Sequence, residues 1–540
     1  MASLSFKGKA FVQNHHLTVP FHQLVPRKDK SLSDKVRLDD NLIIHGDNLK
    51  ALKALLPTYA GKVKCIYIDP PYNTGNEGWV YNDNLNSPMM QEWLGKVVDR
   101  EDLTRHDKWL CMMTPRLKLL RELLSQDGVI FVSIDNNEIH RLRLLMDEVF
   151  CDQYVSHLAW KGKSGAEDDD YFRTTNEHIL CYAKDLSAFN AGRQLKTDEV
   201  FPKYDRSKKR NYKTQLARKW GSNSRRQDRP NLYYPVKGPE GNVHPVLPDG
   251  KDGCWRWSKD RMQEEIAKGN IEFEKIDGKW VVYQKIYEPA PDESPRTKKY
   301  NTWLDDVGST SNGTDELKEI FTRSPFDHPK PGALIKRLLL MAGVGDKDIV
   351  LDSFAGSGTT GQAVLELNKE NGNSNRFILL ECEDYADKIT AERLRRVLKG
   401  LPGSSNENLR DGLDGTFSYF ELGKPLEFDG MLAGKSLPAY DELARYIFYT
   451  ATGQDFDERK MDEKKFFIGS TKEYDLYLFY KPDVEFLKTT ALTLERARAL
   501  GATKGRRRLV FAPTKYLDQD QLAEHQIDFA QLPFEIYRRA

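Results

Sequence analysis

The sequence predicts an α/β protein whose larger part is a doubly wound, mixed but mostly parallel sheet. Short apolar runs alternate with helical patterns in residues 41–161 and again in residues 323–400. Strands that alternate with helices form parallel sheets covered on both faces. A polar stretch at residues 162–322 separates the two halves and predicts an inserted domain. A third alternation, in residues 431–540, predicts a small C-terminal α/β domain.

The elements of the first half follow from apolar periodicity and turn residues. Residues 41–47 are predicted to form a strand, and residues 48–56 a helix that ends before Pro57. Val63–Ile68 is predicted to be a buried strand. The helical pattern at residues 109–124 contains Pro115, where we expect an early break, and residues 128–135 predict another buried strand.

The same reasoning gives the remaining elements. Residues 1–40 have no clear period and are predicted to form an N-terminal arm, and residues 401–430 a linker. The predicted elements of the second half and the tail are a helix at 332–340, a strand at 348–351, a helix at 360–367, strands at 377–380 and 475–480, a helix at 486–500, a strand at 508–511 and a helix at 518–525.

Composition limits the function classes. Lys and Arg number 82 against 81 Asp and Glu, so a nucleic-acid surface has to be a local patch. The six cysteines form no Cys-x-x-Cys pair, which argues against a zinc site or a disulfide framework and for a reducing cytosol. No apolar run approaches the roughly 18 residues of a membrane span, and the first residues contain no signal-peptide core. We therefore expect a cytoplasmic protein with no metal and no membrane association.

The first motif that carries chemistry is Asp69-Pro70-Pro71-Tyr72, directly after the predicted strand Val63–Ile68. The exocyclic amine of a DNA base is a poor nucleophile, because its lone pair is delocalised into the ring. A carboxylate and a backbone carbonyl that accept its N–H bonds return density to the nitrogen, and two prolines fix the direction of that carbonyl. A neighbouring aromatic ring can stack on a base taken out of the helix. The alternative is a proline turn with a packed tyrosine.

The second motif is a glycine-rich loop with Gly356, Gly358 and Gly361 in the pattern G-x-G-x-x-G. The pattern alone also suits a dinucleotide, whose ribose a carboxylate about twenty residues later would hold. Glu381 meets that requirement. Asp352 favours another ligand, because a carboxylate before the glycines repels a pyrophosphate and attracts the α-ammonium of S-adenosylmethionine. A tight strand–helix turn without a ligand is the other alternative.

The third feature is a basic run between residues 203 and 229 of the insert. Eleven Lys and Arg residues stand against two Asp, with Tyr204, Tyr212 and Trp220 between them. Such cations contact phosphates, and arginines also read guanine edges. The alternative is a solvated loop. The residues predicted to contact DNA are Lys203, Arg206, Arg210, Arg218, Arg225, Arg226 and Arg229.

These residues closely resemble the β-class DNA amino-methyltransferases, in which the catalytic Asp-Pro-Pro-Tyr precedes the target-recognition insert and the cofactor loop follows it. Residues 45–48 resemble the Gly-Asp loop of the family, and residues 175–180 its Glu-His-Ile segment before the insert. Residues 327–338 are similar to the Lys-Pro segment that opens the cofactor half. Residues 72–83 and 109–135 are similar to modification (Mod) subunits of type III restriction systems.

The resemblance implies a Rossmann-like methyltransferase domain, a target-recognition insert and S-adenosylmethionine as cofactor. It implies that Asp69, Pro70, Pro71 and Tyr72 are catalytic. The implied partners are double-stranded DNA, a second copy of the chain and a separate helicase–nuclease restriction subunit, near the nucleoid of a prokaryotic cell. The implied cofactor-binding residues are Asp47, Lys330, Asp352, Phe354, Gly356, Gly358, Thr359, Thr360 and Glu381.

The resulting hypothesis is a site-specific DNA methyltransferase that acts on N6 of a flipped adenine, as the modification component of a restriction–modification or related defence system. One alternative is N4-cytosine methylation, for which the family usually has Ser where this chain has Asp69. A second is a DNA-binding specificity subunit without activity, which intact Asp69, Tyr72 and Asp352 disfavour. A nucleotide-dependent oxidoreductase would explain the glycines but not the Asp-Pro-Pro-Tyr motif.

Overall fold

The computed structural model describes residues 4–74, 104–163, 172–425, 437–454, 456–501 and 505–532. The strands in this part of the chain are β1 (His22–Pro26), β2 (Leu42–His45), β3 (Val63–Ile68), β4 (Leu124–Ile134), β5 (Tyr154–Trp160), β6 (Glu177–Ala183), β7 (Gln194–Leu195), β8 (Lys203–Asp205), β9 (Arg210–Leu216), β10 (Val236–Gly238), β11 (Gly241–Val243), β12 (Ile271–Ile276), β13 (Lys279–Tyr287), β14 (Thr297–Lys298), β15 (Trp303–Leu304), β16 (Ile349–Asp352), β17 (Arg376–Glu381), β18 (Ser418–Pro425), β19 (Phe467–Ser470), β20 (Tyr474–Leu478), β21 (Arg507–Ala512) and β22 (Ile527–Gln531).

Helices lie in about half of the connections between these strands. A π-helical turn at Ala386–Ala391 leads into one of them. The α-helices are Lys9–Val12, His15–Thr18, Asn48–Tyr59, Arg105–Leu123, Ile139–Val149, Lys259–Ala267, Thr310–Phe321, Gly332–Met341, Thr359–Asn371, Glu392–Lys399, Glu407–Asp411, Tyr440–Thr452, Val484–Thr489, Leu494–Ala499 and Gln519–Glu524. None of the helices in the described ranges is long and apolar enough to cross a membrane.

Ten strands form one sheet in the order β1-β18-β2-β17-β16-β3-β4-β6-β5-β15. The six neighbours from β18 to β4 run parallel, whereas β6 is antiparallel to β4 and to β5. The chain proceeds from β3 to β4 in one direction and from β16 to β17 in the other. The neighbours β3 and β16 therefore flank the switch point of the sheet, where α/β proteins bind ligands.

Helices cover both faces of this sheet. Ile66 and Ile68 of β3 point into one apolar core, which the three long helices between β2 and β5 complete. Cys65 and Tyr67 of the same strand point into a second core, formed with the helices between residues 332 and 399. The predicted doubly wound, mixed but mostly parallel α/β fold is confirmed.

Two helices differ from the prediction at their prolines. Asn48–Tyr59 continues through Pro57, and Arg105–Leu123 is unbroken at Pro115. An interior proline costs about 3 kcal/mol. Both helices are buried along most of their length, so tertiary packing outweighs this local cost.

The predicted linker 401–430 and the predicted tail also contain unexpected elements. The linker segment includes Glu407–Asp411 and β18, which joins the central sheet beside β2. The single helix expected at residues 486–500 is two short helices, the second of which begins where Thr493 accepts a hydrogen bond from the Arg496 backbone N–H. Strands β19 to β22 form a separate four-stranded sheet in the tail.

Residues 193–299 form a compact unit distinct from the rest of the chain. Its main sheet has the order β12-β13-β9-β8 and is antiparallel throughout. Tyr234, Trp255 and Met262 belong to its core. The unit lies inside the insert predicted at residues 162–322 and is shorter than it.

Candidate functional site

Three carboxylates follow neighbouring strands of the central sheet. Asp69 comes directly after β3, Asp352 is the last residue of β16 and Glu381 is the last residue of β17. These three strands are parallel neighbours, so their carboxyl ends lie at the same edge. Glu177 begins the antiparallel strand β6 beside the end of β4, which brings a fourth carboxylate to this edge.

Asp69 is the centre of a hydrogen-bonded cluster. The Tyr72 hydroxyl donates to its Oδ1 at 2.8 Å, and the Lys330 ammonium donates to its Oδ2 at 2.6 Å. The Tyr72 hydroxyl also lies 2.9 Å from Oε2 of Glu177, and the same oxygen lies 3.6 Å from Lys330 Nζ. Two carboxylates therefore share one ammonium and one phenol.

The electrostatics of this cluster keep the lysine charged. Burial of the Lys330 ammonium acts to lower its pKa, but the adjacent carboxylates of Asp69 and Glu177 outweigh that effect and raise the pKa above its usual range. Burial, followed by the nearby charge of Asp69, raises the pKa of Tyr72 well above its ordinary value. At neutral pH the site therefore contains a cation and a neutral phenol.

Two tryptophans frame the cluster. The indole N–H of Trp109 donates to the Pro71 carbonyl at 2.7 Å and thereby fixes the proline turn. The ring of Trp160, the last residue of β5, is fully buried, with its centroid 5.9 Å from Lys330 Nζ. The ring of Tyr72 lies 5.1 Å from the same nitrogen. Both distances are within the range of cation–π attraction.

The turn after Tyr72 has a strained backbone. Asn73 is fully buried and has a φ of 60°, a conformation that Asn tolerates better than most residues. Its side-chain amide donates to Glu138 Oε1 at 2.5 Å. His106 also contacts that oxygen, so Glu138 holds the turn at Asn73 next to the helix Arg105–Leu123. Burial raises the pKa of Glu138 to about 7.

The glycine-rich loop begins after Asp352. Gly356 and Gly358 have φ values of 51° and 82°, which residues with a Cβ rarely adopt. At Gly361 a Cβ would lie 3.1 Å from side-chain atoms of Leu379 and Leu394. The first two glycines permit the turn, and the third permits close packing of the helix Thr359–Asn371 on the sheet.

Asp352 and Glu381 hold the backbone of this loop. Asp352 accepts hydrogen bonds from the Phe354 N–H at 3.0 Å and the Thr360 hydroxyl at 2.6 Å. Glu381 accepts from the Gly356 N–H at 2.7 Å. Burial raises the pKa of Asp352 to about 7 and also raises the pKa of Glu381. Two buried acids with raised pKa values and little local counter-charge suit a cationic, hydroxyl-bearing ligand.

The loop that contains Asp47 lies beside the glycine-rich loop. Asp47 caps the helix Asn48–Tyr59 by accepting from the Lys50 N–H at 3.0 Å. The Gly46 N–H donates to the Glu381 carbonyl at 2.9 Å, and the Asn48 side-chain amide donates to the Ser353 carbonyl at 3.1 Å. These two bonds bring together the loops that contain Asp47, Phe354 and Glu381, which are all predicted cofactor residues.

Lys330 differs in its surroundings from the other predicted cofactor residues. Its ammonium lies on Asp69, whereas its backbone carbonyl accepts from the Thr359 hydroxyl at 3.3 Å. Lys330 therefore connects the Asp69–Tyr72 motif with the glycine-rich loop.

The fully buried Arg393, whose side chain contacts the glycine-rich loop, was not predicted from the sequence. Its guanidinium donates to the hydroxyls of Ser357 at 3.0 Å and Thr359 at 2.7 Å, and to the Gln362 amide oxygen at 2.7 Å. Burial lowers the pKa of Arg393 to about 10. Glu177 was noted only as part of a family segment, and the roles of Trp109 and Trp160 were also missed. No local spacing signals contacts between such distant positions.

Four of the residues predicted to contact DNA form ion pairs inside the compact unit. The pairs are Lys203 with Glu272 at 2.9 Å, Arg210 with Glu293 at 2.6 Å, Arg225 with Asp249 at 3.2 Å and Arg226 with Asp252 at 3.0 Å. Arg206 and Arg229 are exposed and Arg218 is half-buried. These three have no ion pair with a carboxylate in the described part of the chain.

The same unit contains an open concavity of about 500 Å³. Gln215 and Gln284, directly opposite each other on β9 and β13, belong to its lining. Arg256 and Arg261 line it as well, and one terminal nitrogen of Arg256 is buried without a hydrogen-bond partner among the described residues. The concavity is therefore lined largely by polar and cationic side chains.

The chain is similar to several known proteins. A family model described as DNA methylase, of the N6/N4 type, matches residues 63–392, more than half of the chain. The Mod subunit of the type III restriction-modification enzyme EcoPI from Escherichia phage P1 is 32% identical over 76% of this chain and 70% of that protein. The type II methyltransferase M.KpnI from Klebsiella pneumoniae is 32% identical over 66% of this chain and 87% of that protein. The crystal structure of the M1.HpyAVI–SAM complex is similar over 65% of this chain and 100% of that chain, with a TM-score of 0.29 and 13% identity.

Proposed function

Because this chain belongs to the family of N6/N4 DNA methylases, we propose that it transfers a methyl group from S-adenosylmethionine to N6 of an adenine flipped out of duplex DNA. One observation carries the proposal. The carboxylate of Asp69 lies beside Tyr72 at the carboxyl end of β3, next to the strand that leads into the glycine-rich loop. An amine acceptor and a cofactor loop thus meet at the switch point of the sheet.

Family membership confirms the enzyme class predicted from the sequence, a DNA methyltransferase of restriction–modification type with S-adenosylmethionine as methyl donor. The resemblance to type III Mod subunits is confirmed by the relative from Escherichia phage P1. Adenine specificity, the roles of individual residues and the partners belong to the proposal.

The cofactor site fits S-adenosylmethionine. When bound, this cofactor supplies an electrophilic methyl group on its sulfonium. The buried carboxylate of Asp352 suits the α-ammonium, and Glu381 at the end of β17 suits the ribose hydroxyls. Gly356 and Gly358 permit the left-handed turns between Asp352 and the helix Thr359–Asn371, and Phe354 and Asp47 are further residues that we assign to this site. These residues bind and orient the donor.

The target amine is held by the loop after β3. Asp69 and the Pro70 carbonyl accept hydrogen bonds from N6, and Tyr72 stacks on the flipped base. The amine held in this way would lie in line with the methyl group that the cofactor supplies, and the methylated amine would then release one proton to solvent. Catalysis then consists of positioning and electrostatic stabilisation, with no covalent enzyme intermediate.

Asp69 also favours adenine over cytosine, since the family usually has Ser at this position in N4-cytosine enzymes. The test is to incubate the protein with duplex DNA and tritiated S-adenosylmethionine, digest the DNA and separate the nucleosides. Label in N6-methyladenine is expected. Label in N4-methylcytosine would correct the base, and unlabelled DNA would refute the proposed function.

The first prediction concerns the pH dependence of cofactor binding. In the free protein Asp352 has a pKa of about 7, and an ammonium ligand favours its carboxylate form, so binding lowers that pKa. Protons are therefore released on binding below pH 7, and affinity should fall as the pH falls from about 7.5 to 5.5, by up to about tenfold per unit. Calorimetric titration with S-adenosylmethionine in this range measures it.

The matched control for this prediction is Asp352→Asn, which keeps the shape and loses the titrating group. It should bind more weakly and with a flatter pH dependence. Burial also raises the pKa of Glu381, so the variant Glu381→Gln measures how much this residue contributes to the pH dependence of binding. An unchanged profile in Asp352→Asn would mean that this carboxylate does not face the ammonium.

The second prediction concerns the compact unit. Replacing Arg206, Arg218 and Arg229 together with Gln should weaken DNA binding at all sequences, because these cations lack ion-pair partners in the described chain and are available for phosphates. The salt dependence should flatten by about 0.9 per lost phosphate contact. Binding measured over a range of salt concentrations gives both quantities.

The control triple variant replaces Arg210, Arg225 and Arg226, whose guanidinium groups already pair with carboxylates. It should change affinity and salt slope less. An equal effect of the two triple variants would show that the ion pairs open on DNA. If neither triple variant changed DNA binding, the phosphate contacts would have to lie elsewhere in the protein.

The relatives also suggest the partners. We propose that the chain works as a homodimer on duplex DNA and that a separate restriction subunit joins it, in the cytoplasm of a prokaryotic cell near the nucleoid. Light scattering of the purified protein and co-purification with the product of a neighbouring restriction gene test these two statements.

A further inference from the structure

Both oxygens of the Asp69 carboxylate already hold donors. Oδ1 accepts from the Tyr72 hydroxyl and Oδ2 from the Lys330 ammonium, at 2.8 and 2.6 Å. The proposed function, on which this inference rests, requires the same carboxylate to accept from the incoming amine. Each carboxylate oxygen can accept a second hydrogen bond, so the incoming amine either shares an oxygen with one of these donors or displaces it.

The ammonium has a second acceptor close by. Lys330 Nζ is 3.6 Å from Glu177 Oε2, and a shift of about 0.8 Å would give an ordinary ion-pair distance of roughly 2.8 Å. A buried ammonium is costly without a carboxylate, so Lys330 can leave Asp69 only if Glu177 is charged. The rings of Tyr72 and Trp160 remain beside it.

The displacement also matters for the chemistry. A cation 2.6 Å from Asp69 withdraws electron density from the carboxylate that has to activate the amine. Once the ammonium has moved, the carboxylate acts on the amine alone. Glu177 can take part in this exchange because its side chain is buried next to the ammonium. Its strand partner in β5 is Trp160, whose ring also lies beside Lys330.

We propose that Lys330 is a displaceable counter-ion of Asp69, and that Glu177 is the positioning residue that receives its ammonium when the target adenine enters. In the free enzyme the pair closes the amine site. In the complex with DNA, Lys330 and Glu177 form the ion pair and Asp69 binds N6.

The first test uses Glu177→Gln, which keeps the side-chain size and removes the charge. The probe is a duplex with 2-aminopurine next to the methylated adenine, whose position is found beforehand by sequencing DNA modified by the wild-type protein. The fluorescence of 2-aminopurine reports extrusion of the neighbouring adenine, and single-turnover methyl transfer to that adenine reports the reaction. We expect about tenfold or more loss in both, with S-adenosylmethionine affinity unchanged. Glu177→Asp, which keeps the charge, should recover part of the loss.

A second variant separates exchange from a merely structural role. Lys330→Met removes the ammonium that Glu177 is proposed to receive. In that background Glu177→Gln should cause little further loss of base extrusion, so the two substitutions should be strongly non-additive. A structural role of Glu177 would produce the same loss in both backgrounds and would overturn the proposal.

The outcomes also separate this inference from the proposed function. A wild-type protein that neither extrudes nor methylates the base refutes both. A wild-type protein that does so, together with a Glu177→Gln variant of equal extrusion and single-turnover rate, refutes the exchange alone.

Discussion

Asp69→Ala is expected to reduce methyl transfer by about 10²–10³-fold or more, the scale seen when one preorganised polar group is removed from a catalytic site. In the proposed mechanism this carboxylate accepts hydrogen bonds from the target amine. It also accepts hydrogen bonds from Tyr72 and Lys330. Its removal therefore eliminates the acceptor for the amine and leaves Glu177 as the remaining carboxylate beside the Lys330 ammonium. Tritium transfer at saturating DNA and cofactor measures the loss.

Binding should survive this substitution. The cofactor residues lie on β16, β17 and the glycine-rich loop, and Asp352 and Glu381 hold that loop without Asp69. A gel shift and a calorimetric titration with S-adenosylmethionine should therefore give values close to wild type. Asp69→Asn is the matched variant, because it keeps an acceptor oxygen but loses the charge, and it should retain more activity than Asp69→Ala. Near-normal transfer by Asp69→Ala would remove this residue from the mechanism.

The strand ends could be predicted because their signals are local. Val63–Ile68 is buried along its whole length, and the motif that follows needs only adjacent residues to be recognised. The glycines before the helix Thr359–Asn371 are equally local, since their φ values and close packing belong to one turn. Periodicity therefore predicted the parallel sheet and the loops at its edge.

The contacts across the site could not be predicted in this way. Tyr72 and Glu177 are 105 residues apart, and Lys330 and Asp69 are 261 apart. These pairs form because β3, β6 and the loop before Gly332–Met341 meet at one edge of the sheet. The family resemblance implied that Lys330 binds the cofactor, whereas its ammonium lies 2.6 Å from the Asp69 carboxylate.

The basic run shows why a local charge count can mislead. Within residues 203–229 the sequence contains two acidic side chains, but the partners of Lys203 and Arg210 come from 69 and 83 residues later. Folding thus neutralises cations that are unpaired in the linear sequence. The three arginines without such partners are better candidates for phosphate contact than the run as a whole.

The two prolines and the strand β18 account for the other differences between prediction and structure. Pro57 and Pro115 are tolerated because the helices around them are buried, and β18 is stabilised by pairing with β1 and β2 at a distance. Propensity describes the isolated segment, whereas these elements depend on tertiary contacts.

Arg393→Met is expected to lower the free energy of unfolding by about 3–5 kcal/mol, the cost of removing one partner from a buried charged network. The guanidinium is fully buried, and its loss would leave the hydroxyls of Ser357 and Thr359 and the oxygen of Gln362 without this donor. It would also leave the half-buried Glu316, 3.5 Å away, without this counter-charge. Urea unfolding followed by tryptophan fluorescence measures the change.

The control for this prediction is Lys399→Met on the same helix, because its side chain is exposed. Surface substitutions of this kind usually change stability by no more than about 0.5 kcal/mol, so the control should unfold almost as the wild type does. Arg393→Met should also bind S-adenosylmethionine more weakly at temperatures where it is still folded, because Ser357 and Thr359 belong to the cofactor loop. Equal unfolding free energies for the two variants would show that the hydroxyls and Gln362 find other partners, and that Arg393 does not hold the loop.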